Sequence, residues 1–264
     1  MFSTPLLKLL KFVWGSETFS YILLVPLVGA YFFYEYRKEI FARKDKWHAA
    51  GLVPVVLAIV LYLVGVGQSD RPDVSNYLAL MTISFLSLFV GGLGAFYGVE
   101  AWKAARFPII FLLFMAPFPG FLLDKIVIFL QSWSADVSDV LFGLTGVPVH
   151  REGFVFLLPG LAIEVAKECS GIRSSISLFL VSLLAGHLML RQPWRKSVLI
   201  VSIVPITIVK NAVRIVMLTL LAVYVDPRIL GSAAHQWGGI PIFLLALVLL
   251  AGVLAFLRRG ERRP

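Results

Sequence analysis

The chain alternates between long apolar stretches and short polar connections. Seven stretches suit a membrane-spanning helix, which needs about 20 mostly apolar residues: residues 19–36, 48–67, 76–98, 107–131, 164–190, 197–225 and 240–257. Pro117 and Pro119 interrupt the fourth stretch, and we expect them to break or kink it. The pattern predicts an all-α polytopic membrane protein with about seven to eight transmembrane helices.

The pattern also predicts elements outside the spans. In residues 132–143 the apolar positions share one helical face and Asp136 and Asp139 lie on the other, which indicates an amphipathic segment on the outer surface. The stretch "GVPVHREGFVFLLPG" that follows has Pro and Gly at its edges and is typical of extended or turn structure. No internal repeat or linker divides the chain, so we expect a single membrane-embedded domain over residues 1–264.

Composition and charge agree with this prediction. The chain is 59% hydrophobic and only 15% charged, whereas a soluble domain is nearer half apolar and a quarter charged. The net charge of +9 is concentrated in connections such as "RKEIFARKDKWH", which the positive-inside rule places in the cytoplasm. The connections then alternate in charge, which puts residues 132–163 and "VDPRILGSAAHQWGG" outside. The excess of basic residues therefore reflects topology and does not indicate nucleic-acid binding.

Three chemically active side chains fall on the outer half of this topology. Cys169, the only cysteine, lies in "EVAKECSGIRSS" in the outer part of the fifth span. Arg214 is roughly 15 Å below the outer end of the sixth span, and His235 lies in the last outer loop. Charged groups inside a membrane normally face a protein interior or a wet cavity. A thiol nucleophile, an imidazole acid–base group and an oxyanion-binding guanidinium together suit acyl transfer through a thioester.

Helical spacing adds candidate supporting residues. In the predicted fifth and sixth spans, residues four apart share a helical face, which groups Cys169 with Arg173, Glu164 with Glu168, and Lys210 with Arg214. Asn211 lies three residues before Arg214. Two cations on one face repel each other unless an acid partners them, and we expect Glu164 or Glu168 to supply that acid.

Each candidate also has a purely structural interpretation. Cys169 can be a small buried hydrophobe, Arg214 a structural ion-pair partner, and His235 an interfacial loop histidine. His150 is a further outer-side candidate for proton transfer. The sequence contains no His/Cys/Asp cluster with metal-ligand spacing and no Gly-rich phosphate loop, so we expect no cofactor and no metal.

The motifs around these residues resemble a known family. "ECSGIRSS", "NAVRIV" and "AAHQWGG", supported by "MAPFPGFLLDKI" and "LTGVPVHREGFVFLLPG", look like signature blocks of the exosortase/archaeosortase family over about residues 80–241. The resemblance implies a catalytic set of Cys169, Arg214 and His235, with Arg173, Glu168 and Asn211 in support. Archaeal members tend to have arginine at the position of His235, so the resemblance favours a bacterial exosortase.

The resemblance also implies an activity and a location. Family members are thought to be cysteine proteases or transpeptidases of the bacterial inner membrane that face its extracytoplasmic side. They cleave a C-terminal sorting signal, made of a Pro-Glu-Pro-like motif, a transmembrane helix and a basic tail, from exported proteins. The expected partners are these signals, membrane lipids and an exopolysaccharide or lipid acceptor. Two other interpretations stay open at this point: a non-enzymatic transporter or exopolysaccharide-export component, and a membrane scaffold.

Overall fold

The computed structural model describes residues 2–42, 49–67, 74–158, 161–165, 171–226 and 239–262. The helices are α1 (Ser3–Trp14), α2 (Val25–Glu35), α3 (Arg37–Ile40), α4 (Leu52–Val66), α5 (Val74–Ala104), α6 (Arg106–Leu112), α7 (Gly120–Thr145), α8 (Ile172–Met189), α9 (Pro193–Val201), α10 (Ile203–Tyr224) and α11 (Gly239–Arg262). Three strands, β1 (His150–Glu152), β2 (Val155–Leu158) and β3 (Leu161–Glu164), lie between α7 and α8. Short 3₁₀ turns cover Ser20–Leu23, Ala49–Gly51 and Leu113–Met115.

The predicted class of an all-α polytopic membrane protein is confirmed. In the described part of the chain, six helical segments are long and apolar enough to cross a membrane: Ala49–Val66, Val74–Ala104, Gly120–Thr145, Ile172–Met189, Pro193–Tyr224 and Gly239–Glu261. Two shorter apolar segments, Ser20–Glu35 and Arg106–Met115, lie where the first and fourth spans were predicted. The number of seven to eight spans therefore stays a prediction.

The break predicted in the fourth span is present. The chain leaves the 3₁₀ turn Leu113–Met115 at Ala116, which has an extended conformation with φ −76° and ψ 127°. A residue that precedes proline avoids the helical region, and Ala116 is followed by Pro117. The new helix α7 begins at Gly120, directly after Pro119.

The amphipathic segment at residues 132–143 is helical, but it is not a separate element. Helix α7 runs without interruption from Gly120 to Thr145, because no glycine or proline stands between Gln131 and Asp139 to end it. The polar residues that it buries are Gln131, Ser134 and Ser138. Asp136 and Asp139 are exposed, as the amphipathic pattern predicted.

The extended structure predicted after α7 is confirmed as a three-stranded antiparallel sheet in the order β1-β2-β3. Gly153 has φ +62° in the turn between β1 and β2, a conformation that favours glycine. The Arg151 guanidinium lies 2.8 Å from an oxygen of Asp136 on α7. This ion pair attaches the first strand to α7.

The start of the predicted fifth span is wrong. Glu164 is the last residue of β3 and not the first of a helix, and α8 begins only at Ile172. Gly171 is left-handed, with φ +73° and ψ 15°, so no helix runs through it. The proposed helical faces that joined Cys169 to Arg173 and Glu164 to Glu168 therefore do not exist, although Cys169 and Glu168 themselves lie outside the described residues.

The chain forms two compact units, Met1–Leu123 and Asp124–Pro264. In the first unit, α4 packs along α5, and buried Ser84 donates a hydrogen bond from Oγ to the Ala58 carbonyl at 2.7 Å. Helix α5 is kinked at Gly98, with φ 77°, near the predicted end of the third span. The prediction of one domain over residues 1–264 stays a prediction.

The second unit has two hydrophobic clusters. One joins α8, α9, α10 and α11. The other joins α7, the sheet and the C-terminal half of α10 through Ala135, Phe142, Phe156, Val165 and Ile215. Residues 207–214 of α10 therefore lie along the helix between these two apolar clusters.

One end of the second unit brings together two basic segments. The Glu261 carboxylate near the end of α11 accepts hydrogen bonds from the backbone N–H groups of Arg191 and Gln192. Arg195 donates from Nη1 to the Leu257 carbonyl at 2.6 Å. The "RQPWRK" connection and the "RRGERR" tail thus lie at the same end, as the alternation of charge predicted; the side of the membrane on which they lie stays a prediction.

Candidate active site

The centre of α10 carries three polar side chains in an otherwise apolar helix. Lys210 is 4% exposed, Asn211 is 1% exposed, and Arg214 is half-buried. Arg214 lies ten residues before the end of α10 at Tyr224, which is roughly 15 Å along the axis and agrees with the predicted depth. Ionisable groups buried at this level of a spanning helix point to a functional site.

The N-terminus of α8 contacts this polar centre. A Cβ atom on Gly171 would lie 3.2 Å from both the Asn211 Oδ1 and the Lys210 Nζ atoms. The Lys210 ammonium donates a hydrogen bond to Ser174 Oγ in the first turn of α8. Because Gly171 also has a positive φ, its lack of a side chain satisfies both the backbone conformation and the close approach of α10.

Two serines fix the geometry of this helix start. Ser174 and Ser175 donate from their hydroxyl groups to the Gly171 carbonyl at 2.9 and 2.7 Å. The hydroxyls therefore bond a carbonyl and do not cap the N–H groups of the first turn, and no side chain of the described residues caps the N-terminus. A helix start of this kind carries a partial positive charge and favours anions.

Asn211 is buried without satisfying its amide. Within the described part of the chain, neither Oδ1 nor Nδ2 has a hydrogen-bond partner. An unsatisfied buried polar group costs about 1–3 kcal/mol of stability. The Oδ1 atom lies beside Gly171, so the cost is concentrated at the contact between α10 and α8.

The structure places only some of the predicted site residues. Arg173 is exposed in the first turn of α8, and Asn211 and Arg214 lie on α10. The nucleophile candidate Cys169, the proton-transfer candidate His235 and the supporting residue Glu168 lie outside the described residues. The proposed site geometry around them therefore stays a prediction.

The acid expected to partner the cations on α10 is not Glu164. This residue is exposed in β3, and among the described residues no ion pair joins it to Lys210 or Arg214. The reason is the strand, which pairs Glu164 with Val155 and directs the chain along the sheet. The prediction for Glu164 is wrong, and the prediction for Glu168 lies outside the described residues.

The chain is anchored immediately before the segment that holds Cys169. Val165 is 1% exposed and donates its N–H to the Phe154 carbonyl at 2.9 Å. The Val165 carbonyl accepts a hydrogen bond from Gln131 of α7. With Gly171 held against α10 on the other side, both flanks of residues 166–170 are fixed by contacts within the second unit.

An apolar groove runs along the C-terminal half of α10. Its volume is about 570 Å³. It is lined by side chains of α7 and α10 and the residue after α10: Leu141, Leu144, Thr145, Val213, Val216, Met217, Leu220, Leu221, Tyr224 and Val225. Val213 is adjacent to Arg214 in the chain, so the groove begins at the level of the polar centre and extends to the end of α10.

The described residues contain no group of three or more His, Cys, Asp or Glu side chains that could hold a metal ion. His150, the further candidate for proton transfer, is exposed on β1 with Nε2 3.7 Å from Glu152 Oε1.

The polar groups that the structure brings together are Lys210, Asn211, Ser174 and the N-terminus of α8.

These features define a polytopic α-helical membrane protein with a buried polar centre packed against Gly171, two residues after its only cysteine in sequence. The sequence model of the transmembrane exosortases matches residues 13–252. The chain therefore belongs to the transmembrane exosortase family, and this membership supports a membrane-embedded sorting transpeptidase. No curated protein and no solved structure matches the chain. The match extends well beyond residues 80–241, over which the signature blocks lie, so it includes the first spans as well.

Sequence reasoning missed the contact between Lys210 and the first turn of α8. A signal was present in "CSGIRSS", where a glycine followed by hydroxyl residues is typical of a helix boundary. The apolar character of the surrounding stretch favoured one long span instead. The hydrogen bond between Lys210 and Ser174 joins residues 36 positions apart, and no local pattern indicates such a pair.

Proposed function

We propose that this protein is a cysteine protease and transpeptidase that cleaves the C-terminal sorting signal of exported proteins and transfers them to a surface acceptor. The observation that carries the proposal is the pair Lys210 and Asn211 of α10, one turn before Arg214, packed against the helix start that follows Cys169 by three residues. A buried cationic centre next to a thiol suits a reaction in which negative charge develops on sulfur and oxygen.

The reaction proceeds in two acyl transfers. The Cys169 thiolate attacks the carbonyl carbon of the scissile peptide bond, and Arg214 stabilises the oxyanion of the tetrahedral intermediate. The C–N bond then breaks, His235 gives a proton to the leaving amine, and the exported protein stays attached to Cys169 as a thioester. An acceptor nucleophile gives its proton to His235 and attacks the thioester carbonyl, and the C–S bond breaks to release the thiolate.

The groove along α10 suits the transmembrane helix of the sorting signal. It is lined almost entirely by apolar side chains, such as Leu141, Val216 and Leu220, and it opens to the surface of the second unit. It begins at the level of Arg214, so a helix seated there has one end close to the polar centre. We propose that the substrate helix enters this groove laterally from the bilayer.

The edge of β3 that faces away from β2 carries no further strand among the described residues, and it suits the extended motif that precedes the substrate helix. Val165 donates its N–H to the Phe154 carbonyl, so these two residues form a hydrogen-bonded pair of the antiparallel ladder. Hydrogen-bonded and non-hydrogen-bonded pairs alternate along such a ladder. The backbone groups of Ala162 and Glu164 therefore point away from β2. An extended peptide that pairs with this edge enters only a few residues upstream of Cys169.

The proposed location is the inner membrane of a bacterium, with the active site on the extracytoplasmic side. The basic connections predicted to be cytoplasmic support this orientation, since the "RQPWRK" connection and the C-terminal tail contact each other at one end of the second unit. The proposed partners are sorting-signal proteins, membrane lipids and an exopolysaccharide or lipid acceptor.

The test is processing of a co-expressed substrate that carries a motif, a transmembrane helix and a basic tail. Cys169→Ala should leave the protein inserted in the membrane and abolish processing, whereas processing at the normal rate would refute the assignment of the nucleophile. Arg214→Lys should also reduce processing severely, because an ammonium does not reproduce the planar guanidinium. A mild effect of Arg214→Lys would favour a scaffold, and intact processing with lost export would favour a transporter.

A further inference from the structure

Specific hydrogen bonds join two basic segments of the second unit at the end where α8 leads into α9. The Glu261 carboxylate accepts hydrogen bonds from the backbone N–H groups of Arg191 and Gln192 at 2.9–3.1 Å. The Arg195 guanidinium, which binds one α11 carbonyl through Nη1, also donates from Nη2 to the Gly260 carbonyl at 2.9 Å. These bonds hold the turn before α9 against the last turn of α11, and we call this contact the α9–α11 junction.

The residues around Arg195 are matched to this contact. A Cβ atom on Gly260 would lie 2.7 Å from Arg195 Nη1, so glycine leaves the guanidinium room beside the helix backbone. The guanidinium carbon also lies 5.1 Å from the centroid of the Trp194 ring. The Trp194 indole donates a hydrogen bond to the side-chain oxygen of Gln192 at 2.9 Å. The junction is therefore a defined structure and not a chance approach of two exposed turns.

The junction concentrates positive charge. Residues 191–196 and 258–263 contain seven Arg or Lys side chains and one acid, Glu261. The carboxylate of this acid already binds two backbone N–H groups, whereas the side chains of Arg191, Arg258 and Arg259 are exposed. The other described carboxylates of the second unit lie on α7, in the sheet or after α10. The two segments therefore present a strongly basic surface.

The length of α11 places this surface at the boundary of the membrane. Residues 239–257, its apolar part, form a helical segment about 28 Å long, and the hydrocarbon core of a bilayer is about 30 Å thick. Arg258 and Arg259 follow directly, so they lie at the level of the lipid headgroups when the apolar part fills the core.

Exposed apolar side chains border the basic surface on the side of the hydrocarbon core. Val198 and Val201 are exposed on α9, and Phe256 is exposed on α11 directly before the basic residues. Trp194 is also exposed, and tryptophan is enriched where the headgroups meet the hydrocarbon core. The surface thus combines cations with an apolar border, which complements an anionic headgroup with its acyl chains.

We propose that this surface, formed by Arg191, Arg258 and Arg259 around the α9–α11 junction, binds the headgroup of an anionic phospholipid. Guanidinium groups bind phosphate oxygens through paired, charge-assisted hydrogen bonds. A zwitterionic headgroup fits less well, because its ammonium brings a further positive charge to a basic surface. The inference is independent of the proposed reaction and of the residues proposed to carry it.

Native mass spectrometry of the purified full-length protein in detergent tests the proposal. It compares the binding of phosphatidylglycerol with that of phosphatidylcholine that has the same acyl chains. Each Arg or Lys near a membrane surface strengthens the binding of anionic lipid about fivefold. Phosphatidylglycerol should therefore bind at least roughly 25-fold more tightly than phosphatidylcholine, and the double variant Arg258→Gln/Arg259→Gln should lose most of this preference.

The matched control is Lys8→Gln/Lys11→Gln, which removes the same charge from exposed positions of α1 and should keep the preference of the native protein. Arg191→Gln/Lys196→Gln is a second double variant in case the first does not fold, and it should also lose most of the preference. It keeps the backbone N–H of Arg191 that binds Glu261.

Three results would overturn the proposal. The first is a native protein that binds the two lipids equally well. The second is an unchanged preference in whichever of the basic-surface variants folds. The third is an equal loss in the Lys8→Gln/Lys11→Gln control, because binding would then follow the overall charge of the protein.

A competition experiment separates a lipid from a soluble phosphate. Excess glycerol phosphate carries a phosphate group but no acyl chains, so it should leave phosphatidylglycerol bound. Complete displacement would assign the surface to a soluble phosphate compound and would also overturn the proposal.

Discussion

Replacing Asn211 with leucine should make the protein more stable and less active. Asn211 is 1% exposed and its amide oxygen and nitrogen have no hydrogen-bond partner among the described residues. Leucine has a similar size and no polar atoms, so Asn211→Leu removes a penalty of about 1–3 kcal/mol. For a chain of this length, that gain corresponds to a rise in Tm of roughly 2–6 °C.

Thermal unfolding in detergent, followed by tryptophan fluorescence, measures the first half of this prediction. Processing of a co-expressed sorting-signal substrate measures the second half. The processing rate should fall at least tenfold, because the contact between α10 and the start of α8 loses its amide. The matched control is Ser138→Ala. Ser138 is fully buried in the same unit, but its hydroxyl donates to the Ser134 carbonyl at 2.7 Å.

The control should lose about 1 kcal/mol of stability and keep its processing rate. If Asn211→Leu instead unfolds at a lower temperature and still processes substrate normally, Asn211 is an ordinary structural residue. That result would refute the reasoning that its unsatisfied amide is retained for the reaction.

Two further predictions concern the substrate path. Met217→Trp fills the apolar groove beside α10 and should lower the processing rate at least fivefold. Val209→Trp, at an exposed position of the same helix, should have little effect. Equal effects of the two variants in a processing assay would exclude the groove as the binding site of the substrate helix. Ala162→Pro removes an N–H that points away from β2 and leaves the ladder of the sheet intact. Ala162→Pro should lower the processing rate several-fold without changing the rate at which iodoacetamide alkylates Cys169. Ala162→Val keeps the N–H and should not lower the processing rate. Equal processing rates for the two variants would exclude pairing at the β3 edge.

Local sequence signals predicted the features that depend on neighbouring residues. Pro117 and Pro119 predicted the end of one helix and the start of α7, because proline restricts its own φ and the conformation of the preceding residue. The stretch before β3 was predicted to be extended because glycine and proline bound it. The depth of Arg214 followed from counting residues along a helix whose end was correct to one residue.

The parts that were missed depend on non-local contacts. Glu164 and Val165 lie in or next to a strand because they pair with Val155 and Phe154, and this pairing overrides the helical pattern of "EVAKEC". Lys210 was expected to need an acid, whereas its described partner is the hydroxyl of Ser174. Neither contact has a periodic signature in a single sequence.

The central claim is that Cys169 carries the exported protein as a thioester. The most direct measurement is mass spectrometry of the protein after incubation with a sorting-signal substrate and rapid acid quenching, which preserves a thioester. The account predicts a substrate fragment attached to the peptide that contains Cys169, and its loss on treatment with hydroxylamine. A protein that processes the substrate with no such adduct, or with the fragment attached to another residue, would contradict the account.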